Sequence, residues 1–123
     1  MARTFVMLAA LAGFSAVALG AFAAHGLKGK LPPNLFEVFE VGARYHMYHA
    51  LALLGVAWAA SRWPSGSVTG AGWFFAAGIV LFSGSLYAMA WTGIRELGAI
   101  TPLGGVCFLA GWVLLGWAAW HAN

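Results

Sequence analysis

Aspartate is absent from this chain, cysteine occurs once, and charged side chains supply only 7% of its 123 residues. Each shortage excludes something. A soluble domain carries about 25% charged residues, so too few charges are present here to coat a water-facing surface. With Cys107 alone, no intrachain disulfide can form, which removes the disulfide-stapled scaffolds. The acids are Glu37, Glu40 and Glu96, none within a long uncharged stretch, and neither a glycine-rich phosphate loop nor a serine-nucleophile motif is present. An enzyme is therefore disfavoured. The net charge of +3 comes from scattered Arg3, Lys28, Lys30, Arg44, Arg62 and Arg95, with no basic stripe to follow a nucleic acid. What is abundant is hydrophobic side chains, 63% of the total. That composition is an integral membrane protein's.

Uncharged runs place the spans. Residues 4–24 make a 21-residue stretch, ~31 Å as a helix and close to the hydrocarbon thickness. Residues 45–61, 71–92 and 102–120 are the other three, the second opening on polar aromatics and two histidines. The reading is all-α: a four-transmembrane-helix bundle forming a single membrane domain over 1–123. Polar and apolar residues do not alternate, so a transmembrane barrel is unsupported. Arg3, the following apolar run and Ala21-Phe22-Ala23 have the look of a secretory signal, but the length suits a retained first helix. Pro32-Pro33 breaks the chain after it, and Asn34 with Glu37 resembles a capping box. Residues 34–44, amphipathic and followed by polar aromatics, predict a short interfacial helix between spans one and two, either running into span two or kinking near Gly42. Thr101-Pro102 predicts an N-cap hydroxyl and a first-turn proline. Gly13, Gly20, Gly78, Gly84, Gly104, Gly105, Gly111 and Gly116 remove side-chain bulk so that backbones can approach, and Gly20-x-x-x-Ala24 and Gly84-x-x-x-Ala88 are small-xxx-small patterns; both suit either packing within the bundle or homo-oligomer contacts.

Basic residues near span ends favour the cytoplasm, and Lys28, Lys30, Arg44 and Arg95 share one face against Arg3 and Arg62 on the other. The margin puts both termini outside. Trp63, Trp73, Trp117 and Trp120 mark one interface and Trp91 the other.

The unusual polar groups collect toward the first face. His25 ends span one; Tyr45, His46, Tyr48 and His49 begin span two; Ser83, Ser85 and Tyr87 lie late in span three; Thr101 starts span four. Intramembrane polar residues face the bundle interior because lipid offers them no partner. Several chemistries fit. His25, His46 and His49 are candidate metal ligands. His25 with His49 suits axial haem ligation, and histidine with tyrosine suits a quinone carbonyl or a proton relay. The plainer reading is that these side chains bond each other and backbone carbonyls and so fix the helix ends, with no cofactor.

Four ordered segments carry a family likeness: Gly20-Ala21-Phe22-Ala23-Ala24-His25-Gly26-Leu27, Tyr45-His46-Met47-Tyr48-His49-Ala50-Leu51-Ala52-Leu53-Leu54, Leu81-Phe82-Ser83-Gly84-Ser85-Leu86-Tyr87 and Leu97-Gly98-Ala99-Ile100-Thr101-Pro102-Leu103-Gly104-Gly105. Together they resemble the YgdD/YwdK-like family of small inner-membrane proteins, a domain-of-unknown-function family with mitochondrial relatives. The resemblance covers essentially the whole chain and implies a multi-pass, four-span protein of the bacterial inner (plasma) membrane, with no activity attached. His25, His49, Ser83, Ser85, Tyr87 and Thr101 occupy motif positions; His46 stands where the family often has another polar residue, which tells against a three-histidine metal site. The expectation is a non-enzymatic scaffold or accessory subunit of a membrane assembly. The alternatives are a binding protein for a metal, haem or quinone, and then a small transporter or channel. Its partners are the lipid bilayer and a homo-oligomer or larger complex, and no nucleic acid.

Overall fold

Four glycines decide how the helices approach. Gly72 receives the ring of Phe5, Gly78 the ring of Phe108, and Gly111 the ring of Phe75, while Gly104 lies against the backbone of Phe82. Any side chain at these positions would overlap its neighbour; a Cβ on Gly111 would sit 2.6 Å from the Phe75 ring. Helices pressed this close gain dispersion contacts, the principal attraction available where lipid is as apolar as leucine.

The structure is a computed structural model describing all residues, 1–123, and it is all-helical. Helix α1 (Ala2–Phe22) runs on through a π turn, Ala23–Leu27. Helix α2 (Pro33–Arg62) has 30 residues. Helix α3 (Gly66–Gly78) passes through a second π turn, Ile79–Ser83, into α4 (Gly84–Thr92), and the three make one rod. After a 3-10 turn at Arg95–Ala99, helix α5 (Thr101–Trp120) ends the chain. Three of the four rods are long and apolar enough to cross a membrane: Ala2–Leu27, Gly66–Thr92 and Arg95–Trp120. The α2 rod is the exception, because Glu37, Glu40, Arg44 and the Tyr/His group dilute its apolar character.

Of the two alternatives for the interfacial helix at 34–44, the first holds: the helix runs into the second stretch and does not kink away from it. It forms the first part of α2, unbroken through Gly42. The glycine is there for a neighbour: a Cβ on Gly42 would lie 3.1 Å from the Tyr87 ring and 3.2 Å from Leu86 Cβ. The predicted caps also differ. Pro32 occupies the N-cap of α2 with no side-chain bond, so Asn34 and Glu37 make no capping box. Thr101 does not cap α5 but is bonded to another helix. Only Ser65 caps as a side chain, accepting from the Val68 N–H at 3.2 Å.

Helix α2 is central, packed on one side by α1 and on the other by α3 and α4, while α5 lies mainly against α3 and its π turn. The main core, with Phe5, Leu53, Val56, Val68 and Phe75 wholly enclosed, lies between α1, α2 and α3. A smaller core joins Ala23, Leu27, Phe39 and Ala90 at the other end. The outer faces of α1 and α5 carry Met7, Phe14, Leu109, Val113 and Trp120, all largely exposed. Gly20 and Gly84, the heads of the small-xxx-small patterns, meet nothing; of the span glycines expected to let backbones approach, Gly78, Gly104 and Gly111 do so, joined by Gly72.

Candidate ligand-binding groove

His46 and His49 stand three residues apart on α2, and that spacing sends them to different neighbours. The His46 ring points between α1 and α4, with its Nε2 3.1 Å from Ser15 Oγ and its Nδ1 2.9 Å from the Tyr87 hydroxyl. The His49 ring faces α5: Nδ1 donates to the Tyr45 carbonyl at 2.8 Å, and Nε2 accepts from Trp112 Nε1–H at 3.1 Å. Its face stacks on Phe108 with centroids 3.5 Å apart and planes 6° from parallel. Both rings are buried.

The remaining polar groups form further, separate pairs. Ser83 is wholly buried and donates to the Gly42 carbonyl at 2.7 Å, which ties the π turn to α2. Ser85 and Thr101 share a 2.6 Å hydroxyl–hydroxyl bond that holds the start of α5 to α4. No buried side-chain nitrogen or oxygen lacks a partner. The expected single cluster is therefore several local bonds. Of its members, His46 meets Tyr87, Ser85 meets Thr101 and His49 bonds the Tyr45 carbonyl, while His25 is exposed at the end of the first rod and Tyr45 uses its ring against Phe82.

The three histidines do not converge, and no group of three His, Cys, Asp or Glu is placed to hold a metal. Every ring nitrogen of His46 and His49 already has a hydrogen-bond partner, so neither is presented to a metal or to haem iron. Two participants escape a reading of the sequence. Ser15 is the one hydroxyl in the middle of the first stretch, and Trp112 sits within a helix instead of at either interface belt; a tryptophan there needs a partner for its N–H.

The Ser15–His46–Tyr87 row closes one end of a groove of about 340 Å³ between α1 and the α3–α4 rod, floored by α2. Leu8, Leu11 and Ala12 form one wall, and Ile79 and Val80 of the π turn form the other. Leu11 and Val80 are exposed on the rim, so the mouth opens sideways. No charged residue lines it. A second groove of about 430 Å³ lies between α2 and α5, where Tyr45, His49, Phe82 and Trp112 meet.

Apolar rods, exposed apolar flanks and interior polar bonds that are all satisfied fit an α-helical membrane protein with several candidate spans. Residues 19–105 match the family described as Protein of unknown function (DUF423). The chain is 54% identical over 114 residues to the UPF0382 membrane protein YwdK of Bacillus subtilis, covering 92% of this chain and 93% of that one. It is 50% identical over 113 residues to a UPF0382 membrane protein of Staphylococcus epidermidis and 48% to one of Staphylococcus aureus, each over 92% of both chains. No solved structure matches. The chain belongs to the DUF423 family of YwdK-like bacterial membrane proteins.

Proposed function

We propose that this protein crosses the bacterial inner membrane four times as one domain, with α2 as the second crossing, and holds a lipid-soluble ligand in the groove between α1 and the α3–α4 rod. Residues 45–61 of α2 span ~26 Å, enough for a thin hydrocarbon layer. The helix is also flanked by rods apolar enough to cross. On this reading the loops bearing Lys28, Lys30 and Arg95 face the cytoplasm and both termini lie outside.

The observation that carries the binding role is the polar row at the end of an otherwise apolar, side-opening groove. Ligand sites are mostly apolar with a few placed polar groups that set orientation. The π turn in its wall adds support, because such turns gather at functional sites. The groove holds no carboxylate and no cation, which favours binding over catalysis.

Gly84 supplies the test. It lines the groove, and a Cβ there meets nothing, so Gly84→Leu starts from an unobstructed position and adds its bulk to the groove. Native mass spectrometry of protein extracted from its own membrane is expected to show a bound non-phospholipid molecule that Gly84→Leu displaces. Identical spectra for the two proteins would count against the reading. A second reading, an accessory subunit, draws support from Gly13 and Gly20 on α1, whose missing side chains serve no contact within the chain. In-membrane cross-linking from position 13 tests it, and cross-links only to lipid would exclude it.

A further inference from the structure

Hydrogen-bond directions along the polar row determine what the groove can recognise. Ser15 Oγ lies 2.9 Å from the Leu11 carbonyl and 3.1 Å from that of Ala12, two acceptors that favour directing its proton to a backbone oxygen. Without that proton, three electron-rich oxygens would face one another. His46 Nε2 therefore carries a hydrogen and donates it to Ser15 Oγ. A neutral imidazole has one N–H, which leaves Nδ1 as an acceptor. The Tyr87 hydroxyl accordingly donates to Nδ1. All protons in the row are then committed. What remains unused is acceptor capacity, on the Tyr87 hydroxyl oxygen and on Ser15 Oγ.

We infer that the ligand is an uncharged, membrane-dissolved alcohol or phenol, whose hydroxyl donates to the Tyr87 oxygen while its apolar body lies between Leu11 and Val80. This rests on the groove being a binding site and names the class of molecule it takes. A ketone or a quinone brings acceptors to acceptors and gains no bond. A phosphate or carboxylate would enter a groove with no positive charge. A phospholipid acyl chain fills the apolar part but leaves the polar end unused.

The test uses the full chain in phosphatidylcholine nanodiscs and three diazirine probes of equal length: a dodecanol, its methyl ether and the matching methyl ketone. Photolabelling of peptides carrying Leu11 or Val80 is followed to saturation. The alcohol is expected to half-saturate at about fivefold to tenfold lower concentration than either analogue, the size of one net hydrogen bond. Tyr87→Phe alone leaves His46 Nδ1 and Ser15 Oγ as acceptors, so it is Tyr87→Phe combined with Ser15→Ala and His46→Leu, which empties the row of acceptors, that should bring the alcohol to within about twofold of the ether. Ser15→Ala gives an opposite signature, because it frees His46 Nε2–H as a donor and should raise ketone binding relative to the alcohol. A ketone that binds the unaltered protein as well as the alcohol overturns the inference and leaves the groove standing. Non-saturable labelling by all three, unchanged by Gly84→Leu, overturns the groove itself.

Discussion

Adjacent glycines at the start of α5 should respond in opposite ways to the same substitution. An alanine Cβ at position 104 would overlap the Phe82 backbone nitrogen and lie 2.7 Å from Phe82 Cα and Cβ. At position 105 the nearest atom is Phe82 Cδ2 at 4.0 Å, an ordinary contact. Carbon atoms prefer about 3.5–4.0 Å, so Gly104→Ala requires α5 to retreat by about 1 Å. The obstruction is backbone, which no rotamer change can move. Overpacking of this kind costs about 1–3 kcal/mol, and here the upper figure applies. That is a loss of roughly a hundredfold in the folding equilibrium. Gly105→Ala should remain within about 1 kcal/mol of the parent, since alanine is also the better helix former. Steric-trapping measurements in bicelles report the difference directly. The same retreat stretches the 2.6 Å Ser85–Thr101 bond beyond hydrogen-bond range. Ser85→Ala should thus cost about 1 kcal/mol in the parent and almost nothing beside Gly104→Ala. Equal stability of the two alanine variants would refute the close approach of α5 to the π turn.

Ala43→Pro should destabilise by about 3 kcal/mol, because a continuous α2 loses a backbone bond there and the ring meets the preceding turn; unchanged folded yield would restore a separate interfacial helix. Trp112→Phe leaves His49 Nε2 without its donor and should cost about 1–2 kcal/mol, with the loss largely absent in a His49→Leu background. Thermal unfolding would decide it, an undiminished loss in that background counting against the bond. Zinc or a chelator should leave the melting temperature unchanged, since the nitrogens of His46 and His49 are bonded and His25 lies elsewhere. A saturable rise with zinc would contradict that geometry.

The helical rods are legible because a chain this apolar has to satisfy its backbone within each segment, and charges mark where segments end. Tyr87 and His46 are legible as polar groups with a need for partners. Their partners are harder to see. Ser15 is 31 residues from His46, and Trp112 is 63 from His49. Helical spacing relates residues on one helix, but it does not say which faces of two helices meet. The same limit explains the glycines. Gly20 and Gly84 fit a spacing rule yet touch nothing; Gly78, Gly104 and Gly111 are legible as positions without bulk inside spans, but what each receives, and Gly72 altogether, is seen only from the rings and backbone across from them. Gly42 suggests a bend when only its own helix is considered, whereas it accommodates Leu86 and Tyr87. Amphipathicity at 34–44 correctly describes a surface but is silent on whether the helix continues into residues 45–62.

The contact between the α3–α4 rod and α5 alternates in size. Phe75 meets Gly111, Gly78 meets Phe108, and Phe82 meets Gly104, with the two helices antiparallel. Sliding α5 by one turn would put Phe75 against Phe108 and Gly78 against Gly104. Rings would collide at one level and a void would open at the next. Intermediate positions place each ring on the ridge beside its seat. The register therefore behaves as a ratchet whose tooth is cut by shape, with the Ser85–Thr101 bond latching it at one end. During insertion such a pair can associate loosely in many alignments, but only one of them lets the backbones close to contact.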